Sequence, residues 1–280
     1  MKKHLLSLAI LWIAAMTFTA CQQTEMANPK PEEEEEEALA QDLVEAQDEE
    51  IVDQFFASIE DAAEYELING NNSRTAQAYA VDTDETTNSI IIDYQDGWQN
   101  ANGDILKGKL TIVWEGDRRS SERSKTLYPE DFYINGYKIE GTRQTIWNKE
   151  AQNFTVLLED AIITAPDGSV MTRDASWTIN LQRDETTNGR YRFGTATGTS
   201  RFDRTYQVTI KEDEALFYDN SCKLGRSRFP VSGIKTRTVT KDGVELRTKT
   251  IDFGDGNCDY KVMVTIGEYS MEIDLRPTNR

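Results

Sequence analysis

The 280-residue sequence predicts a mainly β protein: an antiparallel meander of about 11–13 strands, arranged as a sandwich, an open barrel or an extended twisted sheet, with one N-terminal amphipathic helix. Three observations predict this class. From Ser89 onward, apolar and polar residues alternate in short runs rich in Val, Ile, Thr and aromatics. Asn135-Gly136, Pro166-Asp167-Gly168, Asn188-Gly189 and Asp242-Gly243 break those runs with residues that tolerate the positive φ of tight turns. Before Ser89 the apolar spacing changes to threes and fours, the period of a helix.

Taken in chain order, "MKKHLLSLAILWIAAMTFTAC" has a basic start, an apolar run and small residues ahead of Cys21, the layout of a secretory signal over residues 1–20. A tether over residues 21–37 follows, with "NPKPEEEEEE" expected to be extended because six consecutive glutamates repel one another. The helix is placed at 38–68. Asp48 suits a cap, and Ile51, Val52, Phe55, Phe56, Ile59, Ala62, Ala63 and Leu67 form a stripe expected to dock on the domain that follows. Residues 69–88 read as a polar linker and 89–280 as the β domain, whose strands are "NSIIIDYQ", "KGKLTIVWEG", "YKIEGTRQTIW", "NFTVLLEDAIIT", "VMTRDASWTINLQ", "RYRFGTAT", "TYQVTIK", "IKTRTVT", "VELRTKTIDF", "YKVMVTIG" and "SMEIDL". The short links between them force antiparallel pairing.

Charge divides the chain. Cys21 to Asn88 carries 20 acidic residues against Lys30 and Arg74, whereas Ser89 to Arg280 carries 29 against 27 basic ones. A domain so nearly neutral has no field for nucleic acid. The single histidine is His4, within the signal, so a mature chain has no imidazole for a Ser-His or Cys-His pair, a histidine-ligated metal or a histidine base. Cys222 and Cys258 remain besides Cys21, and an oxidising compartment favours a disulfide between them.

Motifs with chemical potential are few. "TIDFGDGNCDY" places Asp255, Asn257 and Asp259 like the first ligands of a calcium loop, but Tyr260 stands where the loop needs Gly and Ile266 where it needs Glu. A turn stapled by Cys258 is expected, with no metal and no cofactor. The same strand-then-Asp-Gly device occurs at Ile92–Gly97 and at Ile251–Gly256. Ser232 and Lys235 have the spacing of a serine–lysine pair, which works on a helix but puts the two on opposite faces of a strand. Arg118, Arg119, Arg123 and Lys125, interleaved with acids, read as a solvated loop. Trp98, Trp114, Trp147 and Trp177 are the candidate ligand contacts, since each could stack on a sugar ring; alternation along strands points such residues into a core. Asp131, Glu159 and Asp160 are among many carboxylates, with nothing in the sequence to pair two across a cleft.

Phe18-Thr19-Ala20-Cys21 resembles the bacterial lipobox, which implies lipidation of Cys21. Together with "FYINGYKIEGT", "RFPVSG" and "TIDFGDGNCD", it resembles pieces of the uncharacterised β-rich envelope lipoproteins of Bacteroidota-type bacteria. That resemblance implies kinship over about Ser89 to Arg280 and carries no activity. The expectation is therefore a lipid-anchored envelope protein at the outer membrane, facing either the periplasm or the surface, with a non-enzymatic binding or structural β module. Its partners are the membrane, through the lipid, and an unknown envelope or extracellular ligand, a glycan or a protein, with no nucleic acid. Two alternatives stand beside it: a carbohydrate-binding or glycan-processing protein using Trp and Asp/Glu, marked by two or more Trp lining a groove, and a lipid or lipoprotein carrier, marked by a helix-lidded apolar cavity.

Overall fold

A computed structural model describes residues 33–69, 79–100, 103–116, 122–184, 187–222 and 229–274. The signal, Cys21 and most of the tether lie outside the described residues, as do Arg118 and Arg119 of the basic cluster. The helix α1 (Glu33–Asn69) precedes fifteen strands: β1 (Ala80–Asp84), β2 (Ser89–Asp93), β3 (Trp98–Gln99), β4 (Ile105–Glu115), β5 (Glu122–Ile134), β6 (Tyr137–Asn148), β7 (Asn153–Thr164), β8 (Val170–Arg183), β9 (Asn188–Thr199), β10 (Thr205–Ile210), β11 (Leu216–Asp219), β12 (Ser232–Lys241), β13 (Val244–Asp255), β14 (Lys261–Ile266) and β15 (Tyr269–Asp274). All belong to one antiparallel sheet in nearly sequential order, with β3 attached to β4 and β11 spanning β9 and β12. Among the described residues β1 pairs only with β2 and β15 only with β14, so these ladders leave the sheet open.

Three boundaries differ from the sequence reading. The helix starts at Glu33, inside the glutamate run expected to be extended. Glutamate is a good helix former, and negative charge is favourable against the positive end of the helix dipole, so a run that repels itself in a coil can open a helix. The polar linker contains β1, which pairs with β2 from Ala80↔Asp93 to Asp84↔Ser89; Asp84 accepts hydrogen bonds from the Thr86 backbone at 2.8 Å and its hydroxyl at 2.6 Å to close the turn. The loop reading of Arg123 and Lys125 is also corrected, because both lie on β5, paired with Trp147 and Thr145 of β6. Charges on that strand's inward face hid its period from a hydrophobicity test.

The sheet bends along a line of bulges. The β4–β5 register shifts at Gly108, the β5–β6 register between Leu127 and Phe132, the β6–β7 register at Gly141, and the β7–β8 register between Leu158 and Ala161. Gly141 has φ +101, and a Cβ there would stand 2.6 Å from the Ala161 Cα, so only glycine fits. Asp131 and Asp160 occupy positive φ on the intervening strands and are exposed. They are therefore bulge residues; the Asp160 backbone N–H is capped by Asp174 at 2.7 Å.

The apolar stripe of α1 docks on the sheet: Val52, Phe55, Ile59 and Ala63 are buried in one core with Ile92, Leu106, Leu110, Ile112 and Leu127. The side chain of Leu67 lies outside the described residues. The "GDGN" stretch turns from β13 into β14, with Asn257 Nδ2 donating to Asp255 Oδ1 at 2.8 Å and the Gly256 N–H donating to Val231 O at 2.9 Å. Cys222 and Cys258 form a disulfide across it, with Cα atoms 5.5 Å apart.

Candidate ligand-binding site

The helix carries more than an apolar stripe. Asp42, Glu45 and Glu49, spaced by three and four, are buried as well, and cations on the inner face of the sheet meet them. Lys249 on β13 lies 2.7 Å from Glu45 and 3.1 Å from Asp42. Arg204, just before β10, lies 2.9 Å from Asp42, and Arg201 holds both oxygens of Asp48 at 2.6 Å. Lys235 on β12 is completely buried, 3.0 Å from Glu49 and in contact with Glu50. Burial alone would raise the Glu49 carboxyl, but Lys235, Arg237 and Arg173 outweigh it and hold it below the ordinary range. For Glu50 burial wins, helped by Asp53 and Glu49, and the carboxyl is raised. These ions pack the N-terminal half of α1 against β8–β13. They also place Lys235 in an ion cluster, away from any role as a base for Ser232.

Past Asp53 the fit loosens, and a cavity of about 880 Å³ opens between α1 and the sheet. The helix lines it with Gln54, Ala57, Asp61 and Glu64, again at three- and four-residue steps. Strand alternation supplies the other wall: Trp114 from β4; Arg123 and Lys125 from β5; Arg143, Thr145 and Trp147 from β6; Phe154, Val156 and Leu158 from β7; Trp177, Ile179 and Leu181 from β8; Arg190 and Arg192 from β9; Tyr218 from β11. The register aligns them in rows. One row runs Arg123–Trp147–Phe154–Ile179–Arg192, and its neighbour runs Lys125–Thr145–Val156–Trp177. Trp147 and Phe154 rings sit 4.6 Å apart, and the Arg123 guanidinium lies 5.8 Å from the Trp147 ring. Opposite Trp177 on β9 stands Gly194, with φ +134, where a Cβ would be 2.2 Å from Ser176 O.

Three of the four tryptophans singled out from the sequence, Trp114, Trp147 and Trp177, thus come together in one cavity. Trp98 does not. It packs against Tyr79 at 4.9 Å and Tyr94 at 5.8 Å at the far side of the core. The sequence reading placed Arg123 in a loop and missed Arg143, Arg173, Arg190, Arg192 and Tyr218; the alternating pattern Arg173, Ala175, Trp177, Ile179, Leu181 on β8 was the available signal.

Charge in the cavity is arranged in pairs. Glu60 is bridged by Lys125 and Arg143, which overcome the effect of burial and hold its carboxyl below the ordinary range. Asp53 receives Arg192 at 2.8 Å and Arg173 at 3.1 Å, with Lys235 at 3.8 Å, and against its burial these cations hold it well below the ordinary range. The guanidinium of Arg192 lies 5.2 Å from both the Trp177 and the Tyr218 rings, while burial pushes the Tyr218 hydroxyl up to about 12. Burial also lowers Arg190, which lines the same space. Such a wall offers flat aromatic faces for stacking and directional charged groups for orientation, the mixture typical of a small-molecule pocket. Among the described residues, no group of three or more His, Cys, Asp or Glu is placed to hold a metal ion. Comparison with protein families, curated proteins and solved structures finds no match to the chain.

Proposed function

We propose that this chain is a lipid-anchored envelope protein, attached through Cys21, whose β domain is a non-enzymatic binding module that holds a small ligand between α1 and the sheet. The observation that carries the reading is the cavity of about 880 Å³ with Trp114, Trp147 and Trp177 in its walls. Its size falls within the span of about 300–1,000 Å³ usual for ligand pockets. The family resemblance and the lipobox-like Phe18-Thr19-Ala20-Cys21 support the address.

The carbohydrate-binding alternative is favoured by the same tryptophans, since stacking faces beside charged hydrogen-bonding groups suit sugar rings. The lipid-carrier alternative has the helix over a cavity in its favour and the ion pairs of Asp53 and Glu60 against it, because a purely apolar chain leaves buried charges no better solvated.

N-phenyl-1-naphthylamine, a neutral aromatic probe, tests the binding reading. Saturable energy transfer from tryptophan to the probe, reduced in Trp147→Ala, is expected. No transfer in the folded protein overturns it. Mass spectrometry of envelope-purified protein should give an acylated N-terminus at Cys21, and an unmodified N-terminus at another residue contradicts the anchor.

A further inference from the structure

Arg173 and Arg192 converge on one carboxylate. Arg173 lies on β8 and Arg192 on β9, with Trp177 near both: the two guanidiniums are 5.8 and 5.2 Å from its ring. Each reaches Asp53 of the helix, one at each oxygen. A single carboxylate cannot satisfy two guanidiniums, each with five N–H donors in a fixed fork. The consequence is visible in the structure: Nη1 of Arg173 and Nε of Arg192 are buried without a hydrogen-bond acceptor, and Arg173 Nη2, although 3.1 Å from Asp53, is not aligned for a hydrogen bond. The Arg173 side chain is 1% exposed. Leaving buried charged donors unmatched is costly. Both arginines line the cavity, Arg173 buried and Arg192 partly so, whereas Asp61, Glu64 and Arg183 line it and are exposed.

We propose that Arg173 and Arg192 form an oxyanion site at the inner end of the cavity, so that the ligand is an acid: a carboxylate, sulfate or sulfonate carried on an apolar or aromatic body. This rests on the reading of the cavity as a ligand site. The anionic group takes the unmatched guanidinium donors beside Trp177, with Asp53 as the internal counter-ion it partly replaces. The body extends along the row Ile179, Phe154 and Trp147 toward the mouth. A bidentate contact from arginine supplies both the charge and the planar geometry that an oxyanion needs.

The test uses two probes with one aromatic body. 1-Anilinonaphthalene-8-sulfonate carries a sulfonate; N-phenyl-1-naphthylamine is the same framework without it. Each is titrated into the full folded domain, read by energy transfer from tryptophan, and each is used to displace the other. Mutual displacement is expected. Arg192→Gln should lower sulfonate affinity about tenfold and leave the neutral probe within about twofold, the effect of one lost charge-assisted contact. Asp53→Asn, which removes the competing carboxylate, should raise sulfonate affinity, an outcome that a purely structural role for Asp53 does not give. If Arg192→Gln fails to fold, the wild-type protein with and without Asp53→Asn decides the question. Equal response of both probes to Arg192→Gln, or weaker sulfonate binding in Asp53→Asn, overturns the oxyanion site while leaving the cavity reading in place. Binding of neither probe overturns both.

Discussion

The two halves of α1 meet the same sheet in opposite ways. From Asp42 to Asp53 the carboxylates are closed in by Lys249, Arg204, Arg237 and Lys235, and among them Glu45 and Lys249 have no side-chain exposure. From Gln54 to Glu64 the helix lines the cavity with Gln54, Ala57 and the exposed Asp61 and Glu64, and Glu60 is bridged there by Lys125 and Arg143. The lesson is that one helix can act as a plug at one end and a pocket wall at the other. What separates the two is how closely the strands approach: cations close on the carboxylates of the first half, whereas beside the Glu60 bridge of the second half aromatic rings border an open space. A buried ion pair adds little net stability over an apolar pair but is damaging to break. The N-terminal half is therefore held by ions, whereas the C-terminal half is held by Phe55, Ile59 and Ala63 in the core while Gln54, Ala57, Asp61 and Glu64 border the cavity.

The largest effect expected is that of acid. Glu45, Glu49, Asp53 and Glu60 all have carboxyls held below their ordinary values, 4.5 for the glutamates, so their stabilising contribution is complete above that pH and is lost as the pH falls through the folded values. Asp48 and Glu50 are raised and contribute in the opposite sense, so part of the loss is offset. Thermal unfolding followed from pH 7 downward should show melting temperature falling below about pH 4.5. A melting temperature that is constant to about pH 3 contradicts the seam.

Next in size is Lys235→Met. It removes the cation shared by Glu49, Glu50 and Asp53 and should cost about 3–5 kcal/mol in denaturant unfolding. Lys125→Met, at the cavity side where Glu60 keeps Arg143, should cost less. Equal losses in the two variants remove the distinction between the halves.

Much of the architecture was legible in the sequence because strand period and turn chemistry are local. "NFTVLLEDAIIT" and "VMTRDASWTINLQ" match β7 and β8, and the apolar stripe Val52, Phe55, Ile59 and Ala63 is buried as its spacing requires. The strand at Glu122–Ile134 was not legible, since Arg123 and Lys125 point inward where a hydrophobicity pattern expects apolar residues. The acidity of residues 21–88 was visible, but its meaning was not. A carboxylate stripe reads as solvent-facing until a set of inward lysines and arginines some 100–200 residues away is brought against it, as for Lys235 and Glu50, 185 residues apart. The site was half legible: Trp114, Trp147 and Trp177 were singled out individually, but that they share a cavity depends on the register of strands β4 through β8.

Ala57→Trp tests the contrast most directly, because Ala57 lines the open region. If the space is real and serves binding, the added indole fills it. The variant should then keep its stability to within about 1 kcal/mol, whereas an overpacked interior would lose roughly 1–3 kcal/mol. It should also lose N-phenyl-1-naphthylamine binding. Retained binding together with a lowered melting temperature would contradict the account.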